Sequence, residues 1–414
     1  MAADMAGFYT TKPCFCTPLK AMAVFIIFIR KIISAMRSAY WKTLSVAGLL
    51  VAHFFVGAQP NQASNDKADL YTGIEVGSKG VKMSLLEIGR NARINGTFNI
   101  LKDTSVNTDF ISFSTPTFDA TLKGLSSLYD VATKKYGVTP GNIFTVVSSG
   151  VQMQAAKDQK NAWIKLLIDS FRVKINEPNR QVEVIDALQE GRLSHLGIVP
   201  ESKRFSTFLI DIGSGNTKGG FFPYDNTKDF RLFNLNWGTK SVANATEKRC
   251  EEFDKTLTNF NKQLYRVLVA AEEQEIIFAV NASGAYNMND YIAFSGGIAW
   301  AVATLIKPEM SGSSIVTLTY DDVQKFSETL YKNYTALSSG KLAGTAPKGI
   351  DKEMLSAEIN RVHKVFDQRS MLAGTGLMLK IMRQFKSVYE TKQFYLVKNG
   401  QVGWISAYVD QHTN

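Results

Sequence analysis

Tyr71-Thr72-Gly73-Ile74-Glu75-Val76-Gly77-Ser78-Lys79-Gly80-Val81-Lys82 and Phe208-Leu209-Ile210-Asp211-Ile212-Gly213-Ser214-Gly215-Asn216-Thr217-Lys218 follow one plan although they lie far apart in the chain. In each, an apolar β run reaches a carboxylate, a turn of small residues follows, a second strand begins, and a Lys stands seven positions after the acid. The glycines permit positive φ and let backbone N–H groups approach an anion without a Cβ in the way. A carboxylate ending an apolar strand is costly to bury without a ligand or partner, and oxygen ligands of this kind suit a hard cation such as Mg²⁺. One such turn is a weak signal, because tight hairpins use the same residues for geometry alone. Two of them, each opening half of the chain, point to turns that face one another across a cleft and hold phosphate between them.

The pattern around these turns alternates strand and helix. Strands are expected at Tyr71–Val76, Val81–Ile88, Phe98–Leu101, Ile143–Val147 and Val182–Ile185. Phe118, Leu122, Leu125, Tyr129, Ala132 and Tyr136 recur at three- and four-residue intervals and line one helix face. Further helices are expected around Trp163–Phe171 and through Glu190. The second half repeats the opening with a glycine-rich hairpin at Phe208–Ile210 and Gly219–Phe222, a strand at Leu232–Asn236 and one helix from Val242 to Ala271. Strands at Ile276–Val280 and Ile292–Phe294 follow, then a helix entered through Ser295-Gly296-Gly297, a mainly helical region from Asp321, and a late strand at Phe394–Val397. Such alternation predicts an α/β protein of two related lobes, each a mixed sheet covered by helices. The division is 69–204 for the first lobe and 205–414, with a helical C-terminal part, for the second.

Of the 414 residues, 45% are hydrophobic and 20% charged, enough for two globular lobes. Residues 1–58 read differently. Met36-Arg37 to Lys42 is a basic stretch, Leu44 to Phe55 an uncharged apolar run of signal-peptide length, and Val56-Gly57-Ala58 offers small residues for cleavage. Met36 is an alternative start, and Ala21 to Ile29 is a second apolar stretch. The segment is expected to export the protein to the periplasm or the extracellular space, the alternative being a membrane anchor, and 59–68 is a polar linker. Six basic residues against one acid give this segment half of the chain's net +10. The remainder is mildly basic and holds no long Lys/Arg run, which argues against nucleic acid as a partner. Cys14 and Cys16 lie in the leader, Cys250 alone forms no internal disulfide, and His195, His363 and His412 do not cluster, which argues against a His/Cys metal site. Asn95, Asn244, Asn281 and Asn333 fit glycosylation sequons. Oligomeric state is open, a homodimer among the options.

The motifs together resemble those of the exopolyphosphatase/guanosine-pentaphosphatase (Ppx/GppA) family, within the actin, sugar-kinase and heat-shock ATPase superfamily, over most of residues 69–410. Gly73 to Ser78 resembles the family's first phosphate motif, and Asp211-Ile-Gly213-Ser214-Gly215-Asn216-Thr217 its second. Val147-Ser148-Ser149-Gly150-Val151 lies where the family has a small-residue turn before a helix. Val184 to Leu193 resembles the segment that carries the catalytic glutamate, which falls on Glu190. Trp237-Gly238-Thr239, Phe294-Ser295-Gly296-Gly297, Arg369 to Gly374 and Val397 to Gly403 resemble later elements. Secreted apyrases share this layout. The resemblance implies two duplicated ribonuclease-H-like lobes, the actin-like ATPase fold, with a cleft between them. It implies water attack on the terminal phosphoryl group of polyphosphate or a nucleoside polyphosphate. Glu190 and Asp211 would be catalytic, with Glu190 directing the water. Ser78, Gly213, Ser214, Gly215, Asn216, Thr217, Gly296 and Gly297 would hold phosphate oxygens, and Asp211 with Glu75 would hold Mg²⁺.

The departures bear on chemistry. Glu75 replaces the family's Asp, Lys218 stands in place of its Glu or the apyrases' Gln, and Gln152-Met153 occupy the place of an Arg. Lys79, Lys82 and Lys218 would make an electropositive cleft that neutralises phosphate in place of some metal. The alternative is a catalytically degenerate phosphate- or nucleotide-binding protein on the same fold. For single residues the plainer readings are a Glu190 paired with Arg192, lysines on a solvated strand face, and glycines that merely start a helix.

Overall fold

The computed structural model describes residues 69–88, 99–386, 391–398, 400 and 403–413. The leader, the linker and the Asn95 sequon lie outside the described residues. All described residues fall in one unit, Lys67–Asn414, and no helix among them is long and apolar enough to cross a membrane.

The two sheets share one topology. The first contains β1 (Asp69–Val76), β2 (Gly80–Ile88), β3 (Asn99–Asn107), β4 (Ile143–Val147) and β5 (Val182–Val184) in the order β3-β2-β1-β4-β5. Its first three strands are an antiparallel meander, while β4 and β5 run parallel to β1. The second contains β6 (Thr207–Ile212), β7 (Thr217–Phe221), β8 (Arg231–Leu235), β9 (Tyr291–Ser295), β10 (Ile315–Thr317) and β11 (Gln393–Val397), ordered β10-β11-β9-β6-β7-β8. Here β6, β7 and β8 repeat the meander, β9 and β11 run parallel to β6, and β10 is an added antiparallel edge. Parallel neighbours need crossovers, and helices supply them. Thr115–Asp130 connects β3 to β4, and Ser149–Lys157 with Asn161–Lys174 connects β4 to β5. β6 and β7 are buried along their whole length: Ile74, Val76 and Met83 pack with the helical Phe171 in the first core, and Phe208, Ile210 and Phe294 with the helical Met378 in the second.

Four expectations are corrected. Ile276–Val280 is not a strand: Glu272–Ile276 is a π turn running into the helix Ile277–Ser283. Ile276 and Val280 are buried four residues apart while Phe278 is 74% exposed, which is the helical period. The helix drawn from Val242 to Ala271 is two, Thr239–Glu247 and Leu257–Ala271. The third strand extends to Asn107: it lies at the sheet edge and is largely exposed, so the polar run from Lys102 costs no burial. Finally, the division at 204/205 is crossed twice. The C-terminal helix Gly403–His412 packs Trp404, Ile405 and Tyr408 against Val146 of β4, Ile185 and Leu193, completing the first lobe. Its neighbour, the helix Ala187–Ile198, touches β7 and β8 of the second lobe. That placement matters because this helix carries Glu190.

Candidate active site

The seven-residue interval between acid and lysine is the register of a hairpin. Across the first turn Glu75 pairs with Lys82, and across the second Asp211 pairs with Lys218. The first turn closes with the Gly77 N–H donating to Gly80 O at 2.9 Å and the second with the Gly213 N–H donating to Asn216 O at 3.0 Å. The turns face each other. A Cβ on Gly150, in the first turn of Ser149–Lys157, would lie 3.1 Å from both Ser78 Oγ and Asn216 Oδ1. One residue from each lobe therefore converges on a position where a larger residue would crowd them. Asn216 is fixed from behind by its Nδ2, which donates to Met153 Sδ at 3.3 Å.

Both turns open into a cleft of about 390 Å³. Glu75, Glu190, Asp211, Lys82 and Lys218 lie on its wall, with Gly296 and Gly297 at the start of the helix Gly297–Ile306. Gly296 has φ 93°, and a Cβ there would stand 2.3 Å from Ile212 O and 2.7 Å from Asp211 Oδ1. Glycine is therefore required for the helix to begin directly beneath the aspartate.

Glu190 reaches the cleft because Asp186 caps its helix, its side chain accepting the Gln189 N–H at 2.7 Å, so that Glu190 falls in the first turn. Only 1% of it is exposed. Lys218 Nζ lies 2.7 Å from Glu190 Oε1 and 3.6 Å from Asp211 Oδ2. The Ser149 N–H donates to Glu190 Oε2 at 2.7 Å, and the Ser295 hydroxyl donates to Asp211 Oδ1 at 3.1 Å. Burial pulls the Lys218 ammonium pKa down, but Glu190 and Asp211 overcome that pull and hold it well above its ordinary value. Glu75 is the strained member. Burial pushes its carboxyl up, Lys82 Nζ at 3.5 Å opposes this, and Glu190 and Asp211 add repulsion. Its Oε2 is buried without a hydrogen-bond partner. Lys79 Nζ sits 5.0 Å from the Phe366 ring centroid; burial, and then the nearby Lys240, lower its pKa.

Of the residues singled out in the sequence, Ser78, Lys79, Lys82, Gly213, Ser214, Asn216 and Lys218 line the cleft with the three acids and the glycine pair. Two residues expected to hold phosphate are not on the cleft wall. Thr217 is fully buried and its hydroxyl donates to Trp237 O at 2.7 Å, so it braces the hairpin. Gly215 faces Ser78 across the gap between the turns and is not part of the cleft wall. Glu190 does not pair with Arg192, whose Nε donates to Thr227 O at 3.2 Å. Asp103 and Ser105 on β3 and Arg361 on the helix Lys352–Val365 also line the cleft and were not foreseen. No local motif marks them; only the tertiary fold brings them there.

The Mg²⁺ assignment meets a difficulty in the donor set. Glu75 and Asp211 each face a lysine, and among the described residues no three His, Cys, Asp or Glu side chains are grouped to hold a metal ion. An ammonium about 4 Å from a divalent ion repels it by about 8 kcal/mol at an effective dielectric of about 20, as much as one carboxylate at that distance attracts it, so each lysine cancels one acid. The residues present therefore do not fit a directly ligated divalent cation.

No family model matches the chain, and no curated protein does. Solved structures do. A Ppx/GppA phosphatase from Aquifex aeolicus, the type II variant, is 16% identical, with 84% of this chain and 100% of that one covered and a TM-score of 0.54. Another structure of the Aquifex aeolicus Ppx/GppA family member is 18% identical, covers 84% and 99%, and has a TM-score of 0.56. An exopolyphosphatase from Cytophaga hutchinsonii is 14% identical, covers 83% and 98%, and has a TM-score of 0.53. Identities this low speak to fold. The chain has the two-lobed, ribonuclease-H-like α/β fold of the Ppx/GppA phosphatases.

Proposed function

We propose that the protein is a phosphoanhydride hydrolase acting on polyphosphate or nucleoside polyphosphates. The observation that carries this reading is the convergence of Ser78, Asn216 and Gly150 above a buried Glu190 in one cleft. The turn N–H groups and the Ser78 and Ser214 hydroxyls face the terminal phosphoryl oxygens, and Lys218, Lys82 and Lys79 supply positive charge. Glu190 directs the water. A carboxylate has about four lone-pair sites, and Lys218 and the Ser149 N–H occupy one on each oxygen. As the water oxygen bonds to phosphorus, the bridging P–O bond breaks and its electron pair leaves on the shortened chain. The water's proton passes to Glu190 and then to solvent. Because the transition state is loose, orientation counts for more than basicity.

The same reading places the enzyme outside the cytoplasm, on the strength of the leader pattern in residues 1–58. A second reading, a phosphate-binding protein without turnover, is favoured by one observation: the 2.7 Å ion pair that holds Glu190. Phosphate release from a panel of polyphosphates and nucleoside triphosphates separates the two. Release supports hydrolysis; inertness with ligand-induced thermal stabilisation supports binding alone.

A further inference from the structure

We propose that Lys218 and Lys82 are the site's resident cations, so that the cleft takes a phosphate chain free of divalent metal. This deepens the phosphate-site reading above and rests on it. The device is duplicated with the fold. In each lobe the acid at the cleft end of the central strand faces a lysine across the hairpin, Glu75 opposite Lys82 and Asp211 opposite Lys218. Both ammonium groups reach the cleft wall.

Lys218 occupies the place that a bridging cation would need. Its Nζ lies between carboxylates from two different elements, Glu190 at 2.7 Å and Asp211 at 3.6 Å, and the side chain is 7% exposed. An ammonium carries three donors. Glu190 takes one in a hydrogen bond and Asp211 is held at ion-pair distance, which leaves donor capacity for a phosphate oxygen entering from the cleft. Lys82 keeps a looser pair with Glu75 at 3.5 Å and is 38% exposed, free to turn toward a ligand. Four acids, Glu75, Asp103, Glu190 and Asp211, share the cleft with four cations, Lys79, Lys82, Lys218 and Arg361. The carboxylate charge that would attract a divalent ion is already neutralised, whereas an incoming polyanion meets donors on both lobes. Lysine suits this role as a compact point charge.

The test is calorimetric titration of the full chain with tripolyphosphate, once with EDTA and once with excess Mg²⁺. The expected dissociation constant in EDTA is equal to, or tighter than, that in Mg²⁺, because the metal would neutralise the ligand and not the site. Affinity at least about tenfold weaker in EDTA would overturn the proposal while leaving the phosphate site standing. Absence of binding in both conditions would remove the phosphate site as well. Lys82→Gln, at a partly exposed position, should weaken tripolyphosphate binding in EDTA by about tenfold or more, the worth of one charge-assisted hydrogen bond; unchanged affinity would contradict the role of Lys82. Lys218→Glu should make binding depend on Mg²⁺, and the same metal independence as wild type would count against the proposal. If that variant fails to fold, the wild-type and Lys82→Gln arms still decide.

Discussion

Replacing Lys218 by Met isolates the energetics of the site. The lysine is 7% exposed and its partner Glu190 1%, and the substitution leaves Glu190 and Asp211 buried without their cation. Breaking a buried pair from one side costs about 3–5 kcal/mol. The Ser149 N–H still donates to Glu190 and the Ser295 hydroxyl to Asp211, so the lower end applies, about 3 kcal/mol. Urea denaturation followed by tryptophan fluorescence reads this as a lower midpoint at unchanged slope. Adding Glu190→Gln removes the stranded charge, and the double variant should recover about half of the loss or more. The Lys218 ammonium adds no pH dependence at neutrality. Its ammonium is held above the ordinary 10.5, so its contribution is complete below that value and fades only as pH rises through the folded one. A loss below about 1 kcal/mol would mean that the pair behaves as a solvated surface bridge. A double variant less stable than the single one would show that Lys218 is not there to compensate Glu190. Either result refutes the reasoning.

Other consequences are equally specific. His195 is fully buried, its Nε2 lies 3.0 Å from Thr207 O, and burial lowers its pKa from 6.5 to about 4. The unfolded chain therefore binds the extra proton first, and stability should fall by about 3 kcal/mol as pH drops from 6.5 to 4; in His195→Gln, melting curves over that range should lose this dependence. Burial raises the Glu75 carboxyl above 4.5 in the folded state, so its contribution declines as pH rises through that raised value. Glu75→Gln should remove this decline and cost no stability at neutral pH, and a midpoint shift equivalent to a loss above about 1 kcal/mol would contradict the account. Gly296→Ala places a methyl 2.7 Å from Asp211 Oδ1 at φ 93° and should lose about 1–3 kcal/mol in a thermal melt while weakening ligand binding.

What could be read from the sequence was the part written in local pattern. The acid-to-lysine interval is a hairpin register, so the pairing of Glu75 with Lys82 and of Asp211 with Lys218 was already implicit in residue spacing. The alternation of strand and helix gave the two sheets and their crossovers. Ile276–Val280 misled because β-branched residues on a half-buried helix resemble a strand until their burial period is known. Thr217 misled for a different reason: motif position says nothing about where a hydroxyl points, and this one points at Trp237 O. The return of Gly403–His412 to the first lobe and the arrival of Arg361 at the cleft are tertiary events with no local signature. Lys218 departs from the family pattern in the sequence, but only the structure shows that its ammonium binds Glu190 and faces the cleft as well.

The most direct measurement is phosphate release from tripolyphosphate and ATP by purified wild-type protein and by Glu190→Gln, side by side. An acid that directs water contributes about 10²–10⁴-fold, so wild type should turn over and the variant should lose at least about a hundredfold in rate while still binding ligand. Equal turnover by the two proteins would contradict the assignment of Glu190, and no release from either while tripolyphosphate still raises the melting temperature would leave a cleft that binds phosphate without cleaving it.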